Sequence, residues 1–257
     1  MALPIHLTYV GNTGIVAGSG GDTVAVDALF GEGAAPFAET PSAAREALET
    51  ARGPFARVDI LLATHHHPDH FDPRAVGRHL SHNATARLVT TPQAAQLLEA
   101  HARDGYPGLA PRVHTLAPPE GQRESCTICA LRVEAFGLSH GRVHYGDVQH
   151  LGFVVHLGGR TVVHLGDGII DRRALEAAGL LGGTVDVAVL PFWYFTYPLG
   201  RRLLVEDMRP RAAFAVHMPL ARRAGLARAV AGSVDWAVPL VREMSTHEIP
   251  PTFATSG

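Results

Sequence analysis

The sequence has few cysteines, no long apolar run and no excess of positive charge, and each absence excludes a class of protein. Two cysteines in 257 residues cannot form a disulfide framework. No stretch approaches the roughly eighteen consecutive apolar residues of a transmembrane helix, so we expect no membrane association. Lys and Arg number 22 against 24 Asp and Glu, a net charge of -2, so we expect no nucleic-acid partner.

The amino-terminal segment has no secretory character. It reads MALPIHLTYVGN, and it lacks both a basic start and an uninterrupted apolar stretch. Together with the low cysteine content, this predicts a cytoplasmic protein. Cys126 and Cys129 form a single C-x-x-C pair, for which ordinary burial is a better interpretation than zinc binding.

The order of the predicted elements indicates an α/β protein. Apolar residues make up 46% of the chain, enough for a large core. Short strands come first, beginning with Ile5–Val10, and helices then alternate with strands through Ala212–Val216 and a last helix, Pro219–Ala231. Because no linker or repeat interrupts this order, we predict one domain over residues 1–257 with helices covering its sheets.

Histidine is abundant, with 16 residues, and its densest cluster follows an apolar strand. The strand Val58–Ala63 runs into the sequence THHHPDH. His65 and His67 share a face, because side chains alternate along an extended chain. Asp69 and His70 follow a bend at Pro68 and can address a second point nearby. Imidazole nitrogen and carboxylate oxygen are ligands for borderline-soft divalent metals, so the loop predicts a metal site.

Further donors follow three other predicted strands. His140 comes soon after the strand Thr127–Phe136, Asp167 follows the strand that ends at Leu165, and His217 follows Val216. Each alone is typical of a turn. Strand ends on one edge of a sheet converge, however, and together these donors indicate a shared site.

This set of motifs, H-x-H-x-D-H followed by His, Gly-Asp and a late His, resembles the metallo-β-lactamase-fold superfamily of metal-dependent hydrolases. The single-domain layout looks most like the branch that includes the ascorbate-phosphate lactonase. The resemblance implies a four-layer αβ/βα sandwich, in which two mixed sheets lie face to face with helices outside. It also implies a ligand set for two metal ions: His65, His67 and His140 for one, Asp69, His70 and His217 for the other, and Asp167 bridging them.

The same resemblance implies a dinuclear hydrolase of a small ester, lactone or phosphoester, in which a metal-bridging hydroxide attacks the substrate. Zn²⁺ is the expected metal, and Mn²⁺ and iron remain open because His and Asp sites accept several ions. Asp69 is the expected catalytic residue, orienting the nucleophile and moving its proton. Alternatives on the same fold are an iron oxidoreductase, a phosphodiesterase or nuclease, and a non-enzymatic metal-dependent binding module.

Several residues have weaker assignments. His144 is an alternative to His140 as a ligand, or a general acid. Asp27 either fixes an imidazole tautomer or ends a strand in an ordinary turn. The aromatic run at 191–198 places Trp193, Tyr194 and Tyr197 either on a substrate pocket wall or at the sandwich edge. We expect a small-molecule partner and leave homo-oligomerisation open.

Overall fold

The computed structural model describes residues 3–31, 35–141, 146–183 and 185–251. Their strands form two mixed sheets of seven strands each. The first sheet has the order β14-β1-β2-β3-β4-β5-β6. Its strands are β1 (Ile5–Gly11), β2 (Gly14–Ser19), β3 (Asp22–Val26), β4 (Ile60–Leu62), β5 (Arg87–Thr90), β6 (Val113–Thr115) and β14 (Thr246–Ile249).

The second sheet repeats this plan with the order β13-β12-β11-β10-β9-β8-β7. Its strands are β7 (Arg123–Ile128), β8 (Leu131–Leu138), β9 (His150–Leu157), β10 (Arg160–His164), β11 (Val187–Pro191), β12 (Ala212–Val216) and β13 (Ala237–Pro239). In each sheet one half is antiparallel and the other is parallel. The carboxyl ends of the parallel strands therefore lie together at one edge.

Alternation along the strands produces the layers. Val24 and Ile60 point into the core between the two sheets, whereas Leu61 points to the outer face of the first sheet. In the second sheet Val187 points inward and Ala188 outward. Because both faces of these strands are buried, they are almost continuously apolar. Three apolar clusters result, and they separate the four layers of the predicted sandwich.

Helices cover both outer faces. The α-helices of the described residues are α1 (Ser42–Glu49), α2 (Pro73–His82), α3 (Pro92–Ala102), α4 (Tyr106–Leu109), α5 (Arg172–Ala177), α6 (Trp193–Thr196), α7 (Pro198–Arg202) and α8 (Arg223–Ser233), and a π-helix, Leu203–Met208, follows α7. The Asp72, Thr91 and Asp171 side chains accept hydrogen bonds from backbone N–H groups in the first turns of α2, α3 and α5, which stabilises these helix starts. None of the described helices is both long and apolar enough to cross a bilayer.

The prediction of one strand over Thr127–Phe136 is wrong. The chain reverses at Cys129 and Ala130, whose φ angles are 52° and 69°, and β7 pairs with β8 as a hairpin. The turn contains neither Gly nor Asn, the residues that usually signal a positive φ. The apolar pattern of the sequence therefore indicated one continuous strand. The strands β13 and β14 also have no counterpart among the predicted elements, because three or four residues are too few to show a period.

Candidate metal centre

The strand β4 and its register place the H-x-H-x-D-H loop. Val26 lies opposite Leu62, so the residues that follow β3 and β4 meet. Asp27 is buried, and its Oδ1 accepts a 2.8 Å hydrogen bond from the Thr64 N–H. Its Oδ2 accepts another of 2.8 Å from the Thr64 hydroxyl and lies 2.8 Å from Nδ1 of His70. Asp27 therefore holds both ends of the loop.

These contacts select a tautomer for His70. Burial raises the pKa of the Asp27 carboxyl, but the neighbouring His70 and the Thr64 N–H outweigh it and lower that pKa. An ionised carboxylate accepts a hydrogen bond from the Nδ1–H of His70, and in the neutral ring Nε2 then carries the lone pair. This is the arrangement that second-layer carboxylates impose on metal-binding histidines.

The first donor group consists of His65, His67 and His140. His65 lies in the buried part of the loop, and its Nε2 has no hydrogen-bond partner among the described residues. His67 Nδ1 and His140 Nε2 lie 2.9 Å apart. The three residues offer ligand atoms within 4.8 Å of one another.

The second donor group consists of Asp69, His70 and His217. Asp69 Oδ2 lies 3.4 Å from His70 Nε2 and 3.6 Å from His217 Nε2. His217 follows β12 directly, and its φ of 62° turns the ring toward the loop from the opposite sheet. Both sheets therefore contribute to this group.

Asp167 lies between the two donor groups and addresses each with a different oxygen. Its Oδ1 lies 3.1 Å from His140 Nδ1 and 3.8 Å from His65 Nε2. Its Oδ2 lies 3.7 Å from His70 Nε2 and 3.8 Å from His217 Nε2. Burial raises the pKa of the Asp167 carboxyl, but His70 and His65 outweigh it and hold that pKa well below its ordinary value. Asp167 is therefore an anion facing both groups.

The donors fit divalent cations. Nε2 of His65, His70 and His217 is buried without a hydrogen-bond partner in the described part of the chain, and an unpartnered buried nitrogen is costly unless something binds it. Ligand atoms of a tetrahedral ion with bonds of about 2.0–2.1 Å lie about 3.3 Å apart. The separations of 2.9 Å between His67 and His140 and of 3.4–3.8 Å among Asp69, His70, His217 and Asp167 bracket that value. Burial also lowers the pKa of His65 well below its ordinary value, which favours the neutral imidazole that can bind a cation.

The structure thus brings together all seven residues that the sequence suggested as ligands. Asp27 contacts His70 as the tautomer hypothesis requires. His144 lies outside the described residues. His66, beside two of the donors in sequence, is in none of the donor clusters found in the described residues.

The three aromatic residues proposed for a pocket wall are placed differently from one another. Trp193 is half-buried, donates its indole N–H to the Gly168 carbonyl, and lies 5.4 Å from the His217 ring between centroids. Tyr197 is exposed. For Tyr194 the pocket-wall alternative is wrong: its side chain is fully buried and its hydroxyl donates to the Ile169 carbonyl, so it offers no surface to a substrate.

Sequence reasoning missed Asn12 and His150. The Asn12 amide donates to the carbonyl and to Oδ2 of Asp69, at 2.9 and 3.2 Å. His150 begins β9, is buried, and has its Nε2 3.1 Å from Asp167 Oδ1. The donors that the sequence suggests follow predicted strands, whereas His150 starts the antiparallel strand β9. In an antiparallel pair the start of one strand lies beside the end of its partner, so His150 at the start of β9 lies beside the end of β8.

A sequence model described as a beta-lactamase superfamily domain matches residues 6–211. The chain belongs to the metallo-β-lactamase superfamily. A UPF0173 metal-dependent hydrolase from Pyrococcus abyssi is 28% identical over 166 residues, which are 63% of this chain and 68% of that protein. The prediction of a metal-dependent hydrolase of the metallo-β-lactamase superfamily is confirmed. The narrower resemblance to the ascorbate-phosphate lactonase branch stays a prediction.

Solved structures share the metallo-β-lactamase fold over nearly the whole chain. A possible metal-dependent hydrolase from Veillonella parvula has a TM-score of 0.68 at 16% identity, covering 94% of this chain and 98% of that one. The metallo hydrolase Igni18 from Ignicoccus hospitalis has a TM-score of 0.65 at 17% identity, covering 96% and 98%. The same fold occurs in a diiron β-hydroxylase from Streptomyces venezuelae, with a TM-score of 0.58 at 16% identity over 96% of this chain and 54% of that one. It also occurs in human tRNase Z, short form, with a TM-score of 0.62 at 14% identity over 96% and 99%. At these identities the likeness establishes the fold.

Proposed function

We propose that this metallo-β-lactamase-fold protein is a dinuclear hydrolase of small neutral esters or lactones. The observation that carries the proposal is the position of Asp167, with one carboxylate oxygen facing each of two complete donor groups. A single structural ion would need only one closed group of ligands. Two groups that share a carboxylate suit a pair of ions acting on one substrate.

In this proposal the first donor group holds one ion, the second holds the other, and Asp167 contributes to both. Zn²⁺ is the metal we propose, because imidazole and carboxylate donors in sets of this size suit it, with Mn²⁺ or iron decided by availability. Ions bound there would lower the pKa of an intervening water to roughly 7 and polarise the substrate oxygen.

The chain's own carboxylate for proton movement is Asp69. Its side chain is 21% exposed, compared with 10% for Asp167, so Asp69 is the acidic donor more open to an incoming substrate. The Asn12 amide donates to Asp69 Oδ2 and thereby fixes the orientation of the carboxylate. We propose that Asp69 orients the attacking group and takes its proton.

A cavity beside the first donor group supports a small, neutral substrate. It has a volume of about 560 Å³ and reaches both His140 and His150, and small-molecule sites usually measure roughly 300–1,000 Å³. Its walls are part polar and part apolar, with Leu116 and Leu138 among the apolar residues and Glu120 among the polar ones, and its described lining residues include no Lys or Arg. A phosphoester anion would gain no cationic partner from these side chains, whereas an acyl group would bury apolar surface.

Removal of single donors tests the proposal. His67→Ala should lose one metal equivalent, and Asp167→Ala should lose both, each with at least about a hundredfold drop in ester or lactone turnover. His82→Ala is the matched control, because His82 lies exposed at the end of α2. Elemental analysis and a panel of lactones, esters, thioesters and phosphodiesters provide the measurements. Full turnover by metal-stripped protein would contradict the proposal.

Measurements on the same purified protein distinguish the alternative functions. Iron as the bound metal, with oxygen uptake in the presence of a reductant, would favour an oxidoreductase. Phosphodiester cleavage, with salt-sensitive binding of RNA, would favour a nuclease. Two bound ions without turnover of any substrate in the panel would favour a binding module. A small-molecule partner and a cytoplasmic setting belong to the proposal as well.

A further inference from the structure

The turn that carries Asp167 closes around the ring of His150. Asp167 lies between two glycines, and Gly166 has a φ of +56°, a conformation that glycine adopts at little cost. A Cβ on Gly166 would lie 2.9 Å from His150 Nε2, and one on Gly168 would lie 3.3 Å from His150 Cε1. The two glycines therefore allow the turn to approach the ring closely enough for a direct contact.

Strand pairing sets His150 at this place. His150 lies opposite Leu138 in the β8–β9 ladder, at the edge where His140 follows β8. The next residue, Leu151, donates its N–H to the Thr64 carbonyl at 2.9 Å, which ties β9 to the start of the histidine loop. The ring of His150 stacks on that of His140 at 5.4 Å between centroids, with 16° between the planes. His150 is thus held by the same elements that hold the first donor group.

The hydrogen bond to Asp167 defines the role of the ring. His150 Nε2 lies 3.1 Å from Asp167 Oδ1, and His150 Nδ1 has no partner among the described residues. A neutral imidazole facing a carboxylate carries its proton on the nitrogen that meets the carboxylate. Nε2 then has no lone pair for a cation. Asp167 Oδ1 has two lone pairs, so it can accept from His150 and bind an ion at the same time.

We propose that His150 is a positioning residue, whose Nε2–H orients the bridging carboxylate of Asp167 between the two donor groups. The inference rests on the proposed metal centre and adds a residue to it. Groups that orient metal ligands in this way typically contribute about 10–100-fold to metal affinity.

Three variants at one position test the proposal. His150→Phe keeps the flat ring and removes the donor. His150→Gln restores an amide N–H near the position of Nε2. His150→Asn ends short of Asp167 and replaces the Phe variant if that one does not fold. The control is His156→Phe, the same substitution on the same face of β9, at a residue whose Nε2 contacts Glu134.

The measurements are Zn²⁺ affinity by chelator competition, metal stoichiometry, and the visible spectrum of the Co²⁺-loaded protein, which reports ligand geometry. We expect His150→Phe to bind Zn²⁺ about 10–100-fold more weakly with a changed Co²⁺ spectrum, and His150→Gln to recover most of the loss. His156→Phe should match the wild type in both measurements.

Other outcomes have distinct meanings. If the wild type binds two ions and His150→Phe binds them equally well, the inference is wrong and the proposed function stands. If the Phe and Gln variants are equally weak, the ring acts as a ligand, and the hydrogen-bond role is wrong. If the wild type binds no metal, the proposed function fails and the inference fails with it.

Discussion

The two donor groups differ in how firmly the rest of the molecule holds them. In the second group, His70 is buried against Asp27, Asp69 accepts from the Asn12 amide, and the His217 N–H donates to the Asn12 carbonyl. In the first group, His67 and His140 are only partly buried, and His140 borders the cavity.

This difference indicates that the two donor groups would hold their ions with different affinities. The second donor group is fixed by the β1–β2 turn and by the residue after β3, so a cation there would find its ligands already oriented. The first donor group borders the cavity through His140, so a substrate in that cavity would lie beside it. We expect the ion in the second group to bind more tightly, and the ion in the first to exchange more readily.

The largest effect should come from removing metal altogether. Each ion stabilises the fold by about 4 kcal/mol when its free concentration is a thousand times its Kd. For a chain of this size, 1 kcal/mol corresponds to roughly 2–4 °C in Tm. Chelation should therefore lower Tm by about 8–16 °C for each tight ion. Readdition of Zn²⁺ should restore Tm mainly at the first equivalent, since the second donor group fills first. Equal increases in Tm from both equivalents would contradict the expected difference in metal affinity between the two donor groups.

Asp27→Asn should lower the metal affinity of the second donor group and leave that of the first donor group nearly unchanged. The substitution removes the charge that fixes the His70 tautomer, while Asn tolerates the φ of 46° at this position. We expect affinity for one equivalent of Zn²⁺ to fall about 10–100-fold, and that for the other to change little. Calorimetric titration separates the two equivalents. Asp186→Asn is the control, since Asp186 accepts from the Thr161 N–H away from the donors. An equal loss at both equivalents would show that the groups are coupled.

A smaller effect should follow Asn12→Gly. Glycine keeps the left-handed backbone of Asn12, whose φ is 43°, and removes the amide that donates to Asp69. The loss of one hydrogen bond to a charged group amounts to about 1.5–3 kcal/mol. Because this contact is only part-buried, water can replace the amide and the low end of that range applies, so the Zn²⁺ affinity of the second donor group should fall by about tenfold or less. Unchanged affinity would mean that the backbone alone orients Asp69.

The smallest effect should lie outside the centre, at Glu134. Burial raises the pKa of this carboxyl, but the hydrogen bond from His156 and the charge of Arg123 outweigh it and lower that pKa. A carboxyl with a depressed pKa stabilises the fold above its unfolded pKa of about 4.3. That stability is lost as the pH falls through the folded value. Glu134→Gln should thus be less stable than the wild type at pH 7, with the difference shrinking below about pH 4. Urea unfolding of metal-free protein measures this, and a difference independent of pH would contradict it.

The second donor group also illustrates how much the sequence could predict. Asp69 and His70 were found because they are two residues of a short loop after an apolar strand. His217 was found because a polar residue at the end of a buried strand is conspicuous. Asn12, which donates to Asp69, was not found, because an Asn in a tight turn between two strands is usually there only to form the turn. Its role depends on a contact with Asp69, 57 residues away.

The aromatic run shows the opposite case. Trp193, Tyr194 and Tyr197 are alike in composition and close in sequence, yet Tyr194 is fully buried and Tyr197 is 56% exposed. Tyr194 lies within the short helix α6, whereas Tyr197 follows the end of that helix with an extended backbone, at φ -90° and ψ 140°. Composition cannot distinguish these environments, since each depends on which side of the helix meets the second sheet.

The amino-acid sequence by itself determined the alternation of buried strands and helices and suggested the seven candidate donors. Side-chain periodicity and ligand chemistry are local properties, and they can be read one segment at a time. Only the tertiary structure decided that Asp167 lies between the two groups, that Asp27 orients His70, and that His150 reaches Asp167. These relations join residues from different strands and both sheets, and their geometry follows from strand register and sheet packing, which no single segment encodes.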